Sequence, residues 1–249
     1  MVFKRLFKRG SEDSSSGEEI DFKKEREELV QNLIRIGVLK SSEVIRAMMA
    51  VPRELFVPPS YRKFAYADTP LPTASGQTIS APHMVAWMCE LLELKPGMKM
   101  LEVGAGSGYH AAVCAEIVAP RGSQVKGHVY AIERLWELVE FAKKNLERAG
   151  YADRVTVIHG DGTLGYPEAA PYDRILVTAA APRVPPPLVE QLKVGGKIVI
   201  PIGEAYAAQE LFVVEKISEH EVRRKPCGGC IFVPLIGRYG WRESSEPSI

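Results

Sequence analysis

Three acids stand where an apolar run gives way to a turn: Glu102, Glu133 and Asp161. A carboxylate accepts two hydrogen bonds side by side, so Glu133 could hold both hydroxyls of a ribose. Asp161, followed by Gly162, is placed to accept from an adenine amino group. Glu102 comes just before a glycine turn, Gly104-Ala105-Gly106-Ser107-Gly108. Gly104 and Gly106 let the main chain come close to a ligand, with free N–H groups of the following helix turned toward it. Glu102 beside that turn suits a ligand carrying an amino group or another cation, and would repel a pyrophosphate.

A second group of residues precedes the turn. Gly76-Gln77-Thr78-Ile79-Ser80 ends a proline-rich stretch, and Ala81-Pro82-His83 follows. Ser80 reads as a helix N-cap with Pro82 in the first turn, and its hydroxyl could also hydrogen-bond a substrate. His83 lies within one helical turn and reads as a capping or packing residue. Cys227-Gly-Gly-Cys230 has redox or zinc spacing, but no second CxxC or paired histidine accompanies it. It reads as a glycine turn between strands, Cys89 and Cys114 read as core, and no metal is expected.

The elements that position these groups follow from periodicity. Helices are expected over 21–36 and from Ser41 or Ser42 to Pro52, then a long loop over 56–78 and a helix from Ser80. From 98 onward strands and helices alternate: strands 98–103, 127–133, 155–159, 174–178 and 197–202, helices 109–118, 135–149 and 187–192. Strands 211–217 and 231–235 have no helix between them, so they must pair antiparallel. The result is an α/β fold, a mostly parallel seven-stranded sheet closed by a hairpin. Ligands of such sheets bind beyond the carboxyl ends of the strands, where the three acids stand.

Composition sets bounds. The chain has 249 residues, 46% hydrophobic and 25% charged, with a net charge of +1. No basic surplus points to nucleic acid, and no apolar run reaches the length of a membrane helix. The start of the chain lacks the apolar core of a signal peptide, so a cytoplasmic setting is expected. Residues 1–20 read as a disordered tail, 21–96 as helices and a substrate loop, 97–240 as the core joined to them in one compact unit, and 241–249 as a flexible tail.

An adenosine ligand fits both nicotinamide cofactors and S-adenosylmethionine. The glycine spacing is GxGxG rather than GxGxxG, and with Glu102 and the terminal hairpin it favours S-adenosylmethionine. Several segments then carry a specific resemblance: Val51-Pro-Arg-Glu-Leu-Phe-Val57, Gly76-Gln-Thr-Ile-Ser80-Ala-Pro-His-Met84, Leu101-Glu-Val-Gly-Ala-Gly-Ser-Gly-Tyr109, Gly160-Asp-Gly162, Thr178-Ala-Ala-Ala-Pro182 and Phe232-Val-Pro-Leu235. The sequence resembles the protein-L-isoaspartate (D-aspartate) O-methyltransferases. The resemblance implies a class I, Rossmann-like methyltransferase fold with an N-terminal helical extension. It implies S-adenosylmethionine as methyl donor and isoaspartyl proteins and peptides as substrates, with a monomer acting on neither nucleic acid nor membrane. Ser80 matches the family's active-site serine. Gln77, Thr78 and Ile79 would line cofactor and substrate, and His83, Val233 and Pro234 would border the peptide. Amino-methylating enzymes of nucleic acid usually carry an (Asp/Asn)-Pro-Pro-(Tyr/Phe) motif where this chain has Thr178-Ala-Ala-Ala-Pro182.

Overall fold

The structure is a computed structural model and describes residues 20–243. Of the expected tails, 1–20 and 241–249, residues 1–19 and 244–249 lie outside the described residues.

Seven strands form the main sheet: β1 (Lys99–Val103), β2 (His128–Glu133), β3 (Val155–His159), β4 (Tyr172–Val177), β5 (Leu192–Ile202), β6 (Gln209–Ser218) and β7 (Glu221–Cys230). Their spatial order is β3-β2-β1-β4-β5-β6-β7. The first five run parallel, β6 pairs antiparallel with β5, and β7 pairs antiparallel with β6. The chain direction across the sheet reverses between β1 and β4, which opens a crevice at their carboxyl ends.

Among the described residues, six α-helices accompany the sheet: α1 (Phe22–Arg35), α2 (Ser42–Ala50), α3 (Pro82–Leu92), α4 (Tyr109–Val118), α5 (Trp136–Ala149) and α6 (Pro186–Glu190). One buried core joins α1 to α5 with Met100, Val129, Ala131, Leu176 and Val199 of the sheet. The other joins α6 with Leu101, Val103, Ile175, Val177, Ile198 and Ile200. Side chains alternate along β1, so Glu102 points with Met100 into the layer of α3 and α4. Gly150 stops α5 with φ +75°, a conformation that glycine adopts without steric cost.

Two sequence expectations require correction. The last strand is Glu221–Cys230, not 231–235. It is an edge strand, and Arg223, Arg224, Lys225, Pro226 and two glycines conceal its period. Proline and charge are tolerated at an edge because no further strand must pair there. Cys227-Gly-Gly-Cys230 therefore lies within β7 rather than in a turn. Segment 231–235 instead crosses back over the sheet end, where Ala180 N–H donates to Val233 O (2.8 Å) and Leu235 N–H to Ala180 O (2.8 Å).

The second correction concerns the start of α3. Its N-cap is Ala81, with no side-chain cap, and Ser80 lies one residue outside. Asp68, from the preceding loop, does the capping: its Oδ1 accepts from His83 N and contacts His83 Nδ1, both at 2.9 Å. Among the described residues, no helix is long and apolar enough to cross a membrane.

Candidate active site

The crevice at the β1/β4 reversal holds a cavity of about 510 Å³. That lies within the range of roughly 300–1,000 Å³ for small-molecule sites. Its floor is Val103, Gly104, Gly106, Glu133 and Gly162, and its rim includes Gln77, Thr78, Val233, Pro234 and Trp241. A smaller cavity of about 40 Å³ adjoins it, lined by Ile79, Ser80, Glu102, Tyr109 and His110. Thr78, Gly104, Gly106 and Thr178 line both cavities.

The glycine turn is shaped by its neighbours. Gly104 has φ +96°, and a Cβ there would stand 2.5 Å from Thr178 Oγ1. That hydroxyl donates to Gly104 O at 2.7 Å, so the end of β4 clamps the turn. The N–H groups of the turn itself, before the following helix begins, are already engaged. In the structure Gly104 and Ala105 donate to Ile132 O (2.8 and 3.0 Å), and Gly106 donates to Glu133 Oε2 (2.9 Å). The turn thus offers closeness of approach more than donors.

Glu133 is buried, 7% exposed, and its other oxygen accepts from Leu135 N at 3.0 Å. Each oxygen retains a lone pair for a ligand hydroxyl. Glu102 is fully buried, and neither of its oxygens has a hydrogen-bond partner among the described residues. Burial above all, then the charges of Cys89 and Glu133, raises its carboxyl well above the usual carboxylate range. A buried acid without a partner, beside a cavity, fits a cationic ligand group.

Asp161 already accepts hydrogen bonds within the protein. Its Oδ1 accepts from Thr163 N (2.9 Å) and Thr163 Oγ1 (2.7 Å), and its Oδ2 from Arg238 N (2.8 Å). Its side chain lines neither cavity; Gly162 beside it forms the wall, where a Cβ would collide with Val103. Asp161 therefore fastens the 237–239 segment to the end of β3. His83 also lines neither cavity.

The Ser80 segment is held from two sides. Thr78–Ile79 pairs antiparallel with Leu71–Pro72. Arg53, fully buried, donates from Nη2 to Ser80 O (2.8 Å) and from Nε to Ala65 O (2.8 Å), and lies over the Tyr109 ring at 4.7 Å. The Val51–Val57 and Gly76–Met84 segments are thus joined through one guanidinium. Among the described residues the Ser80 hydroxyl has no hydrogen-bond partner, which leaves it free for a substrate.

Several lining residues escape a reading based on strand ends. Thr178, Leu135 and Leu138 are legible only once β4 and α5 are placed. Trp241, Arg242 and Glu243, expected in a flexible tail, complete the rim. Trp241 Nε1 donates to Ala180 O at 3.1 Å, and Glu243 pairs with Arg134 at 3.0 Å. Tryptophan near a chain end is a legible signal, because so large an apolar ring rarely stays in water.

Comparison with known proteins agrees with this geometry. The family model described as Protein-L-isoaspartate(D-aspartate) O-methyltransferase (PCMT) matches residues 24–240. The protein-L-isoaspartate O-methyltransferase of Hyperthermus butylicus is 63% identical over 224 residues, covering 89% of this chain and 92% of that protein. The protein of the same name from Staphylothermus marinus is 59% identical over 222 residues, covering 89% and 98%. Among solved structures, a Plasmodium falciparum chain assigned as a protein-L-isoaspartate O-methyltransferase, in complex with S-adenosyl-L-homocysteine, aligns with a TM-score of 0.75 at 30% identity over 88% of this chain and 99% of that one. Family model, close relatives and fold coincide over nearly the whole described chain, which belongs to the protein-L-isoaspartate (D-aspartate) O-methyltransferase family.

Proposed function

We propose that this chain transfers a methyl group from S-adenosylmethionine to the free α-carboxylate of L-isoaspartyl residues in damaged proteins and peptides, and so starts their repair. The observation that carries the reading is the position of Ser80. Its free hydroxyl lines a small cavity that shares Thr78, Gly104, Gly106 and Thr178 with the larger one. The residues present fit the donor: a glycine floor, Glu133 for ribose hydroxyls, Gly162 at the adenine end and unpartnered Glu102 for the amino group.

S-adenosylmethionine supplies the methyl on a positively charged sulfur. The protein's part is to bring a carboxylate oxygen into line behind that methyl. A carboxylate of ordinary pKa, roughly 4, is already ionised at neutral pH, so no side chain has to remove a proton. Ser80 donates its hydroxyl to the carboxylate oxygen that does not attack, and Arg53 fixes the Ser80 backbone. Ile79, 4% exposed, helps keep water from the reacting atoms. Positioning and water exclusion are the sources of rate here. The methyl ester is then attacked by the following backbone nitrogen. Methanol leaves, a succinimide forms, and its hydrolysis yields partly normal aspartate.

The rim of Gln77, Val233 and Pro234 borders the groove for the peptide, and we place His83 at its outer margin. We read the protein as a cytoplasmic monomer of one compact unit that needs neither nucleic acid nor membrane. Two peptides differing only in aspartate versus isoaspartate, offered with radiolabelled S-adenosylmethionine, test the proposal. Label on the isoaspartyl peptide alone supports it; equal labelling of both, or of neither, overturns it.

A further inference from the structure

Beneath the glycine turn lies a cluster that methyl transfer does not use. Cys89 of α3 faces His110 and Cys114 of α4, and all three are buried. Their ligand atoms lie within 4.8 Å of one another. Cys89 Sγ is 3.4 Å from His110 Nε2 and 3.9 Å from Cys114 Sγ. His110 and Cys114 stand at i and i+4 on one helix, the spacing that points two side chains to the same side.

These distances can be set against zinc chemistry. Tetrahedral zinc with Zn–S near 2.3 Å and Zn–N near 2.0–2.1 Å separates two sulfurs by about 3.8 Å and a sulfur from a nitrogen by about 3.5 Å. The two edges at Cys89 match this triangle, and the third, between His110 and Cys114, lies within 4.8 Å. Two thiolates and a neutral imidazole also cancel the charge of a divalent ion, which suits a buried site. An ordinary apolar core explains the cluster less well. Among the described residues, His110 Nδ1 is buried without a partner. Glu102 points into this same layer, and His110 lines the small cavity beside it. We propose that Cys89, His110 and Cys114 form a zinc-binding site that ties α3 to α4 beneath the glycine turn, with the fourth tetrahedral position turned toward the Glu102 side.

The test uses the full chain, stripped by a chelator and kept reduced, then titrated with Zn²⁺ and separately with Co²⁺. One metal per chain is expected, with thiolate-to-cobalt charge-transfer bands of two thiolates, tetrahedral d–d bands and a raised melting temperature. Cys114→Ala and His110→Gln should each weaken binding on the order of 100-fold or more, since even outer partners of metal ligands are worth about 10–100-fold. The Cys227→Ser/Cys230→Ser double variant, altered on the edge strand and outside the ligand group, should keep full affinity. It remains informative even where a core variant fails to fold. A wild-type chain without the cobalt spectrum, one whose two buried thiols prove to be a disulfide, or loss of binding in the edge-strand variant would overturn the proposal.

Discussion

Replacing Glu133 by glutamine tests the adenosine end of the site with little change in volume. One carboxylate oxygen becomes an NH₂ group, which cannot accept. In the structure both oxygens already accept, from Gly106 N at 2.9 Å and from Leu135 N at 3.0 Å. The amide must therefore point a donor at one of these N–H groups, and it also offers a ribose one acceptor fewer. A hydrogen bond to a charged group contributes about 1.5–3 kcal/mol. At about 1.4 kcal/mol per tenfold, the dissociation constant for S-adenosylhomocysteine should rise roughly 10- to 150-fold. The unpaired N–H costs about 1–3 kcal/mol of stability. For a chain of this size each kcal/mol lowers Tm by roughly 2–4 °C. Titration calorimetry with S-adenosylhomocysteine reads the first effect and a thermal melt the second. With saturating S-adenosylmethionine, kcat should stay within about threefold of wild type, because the interaction is equal in ground and transition states. Unchanged affinity, or a collapse of kcat at saturation with affinity intact, would refute the role of Glu133.

Four further outcomes are expected. Ser80→Ala should lower kcat on an isoaspartyl peptide by about 10- to 100-fold, the value of one hydrogen bond to charge; its cofactor affinity and Tm should hardly move, because the hydroxyl has no partner among the described residues, and an unchanged rate would remove Ser80 from the mechanism. Gly104→Ala should destabilise the chain by about 1–3 kcal/mol in denaturant melts and abolish cofactor binding, because φ is +96° and the new methyl meets Thr178 Oγ1; near-normal binding would mean that the turn does not touch the ligand. Trp241→Ala should weaken S-adenosylhomocysteine binding about tenfold through lost apolar cover, measured by the same titration, and unchanged affinity would place Trp241 outside the ligand's wall. His128 supplies a pH dependence. Burial, set against an opposing attraction to Asp153, lowers its pKa below 6.5, so the unfolded chain binds the proton more readily. Stability should therefore fall as pH drops from about 6.5 toward the lowered folded value, and His128→Gln should flatten that slope in melts across the range.

The sheet and its order of elements were legible because β1, β2, β4 and the second half of β5 are largely buried and read as continuous apolar runs. β7 was hidden for the opposite reason: an edge strand buries too little to impose a period, and Pro226 and two glycines look like punctuation. Glu102, Glu133 and the glycines could be found from strand ends alone. Ser80 as an N-cap could not be judged, since the cap is Asp68, brought from fifteen residues before His83 by a loop without periodicity. Asp161 marked the correct strand end, but its bonds to Thr163 and Arg238, which fasten the 237–239 segment, depend on the folded chain. Arg53 was visible as part of a motif, though its grip on Ser80 O depends on a fold that brings residues 27 apart together. Cys89 looked like core because its partners are on another helix; only the His110/Cys114 spacing was written in the sequence.

The most direct measurement follows one isoaspartyl peptide through the whole sequence of events. The peptide is incubated with the enzyme and S-adenosylmethionine, and its species are separated over time. The account predicts a methyl ester on the α-carboxylate, then the succinimide, then growing amounts of the normal aspartyl peptide, all dependent on S-adenosylmethionine. Consumption of S-adenosylmethionine with the isoaspartyl peptide unchanged, or the methyl found on another group of the peptide, would contradict it.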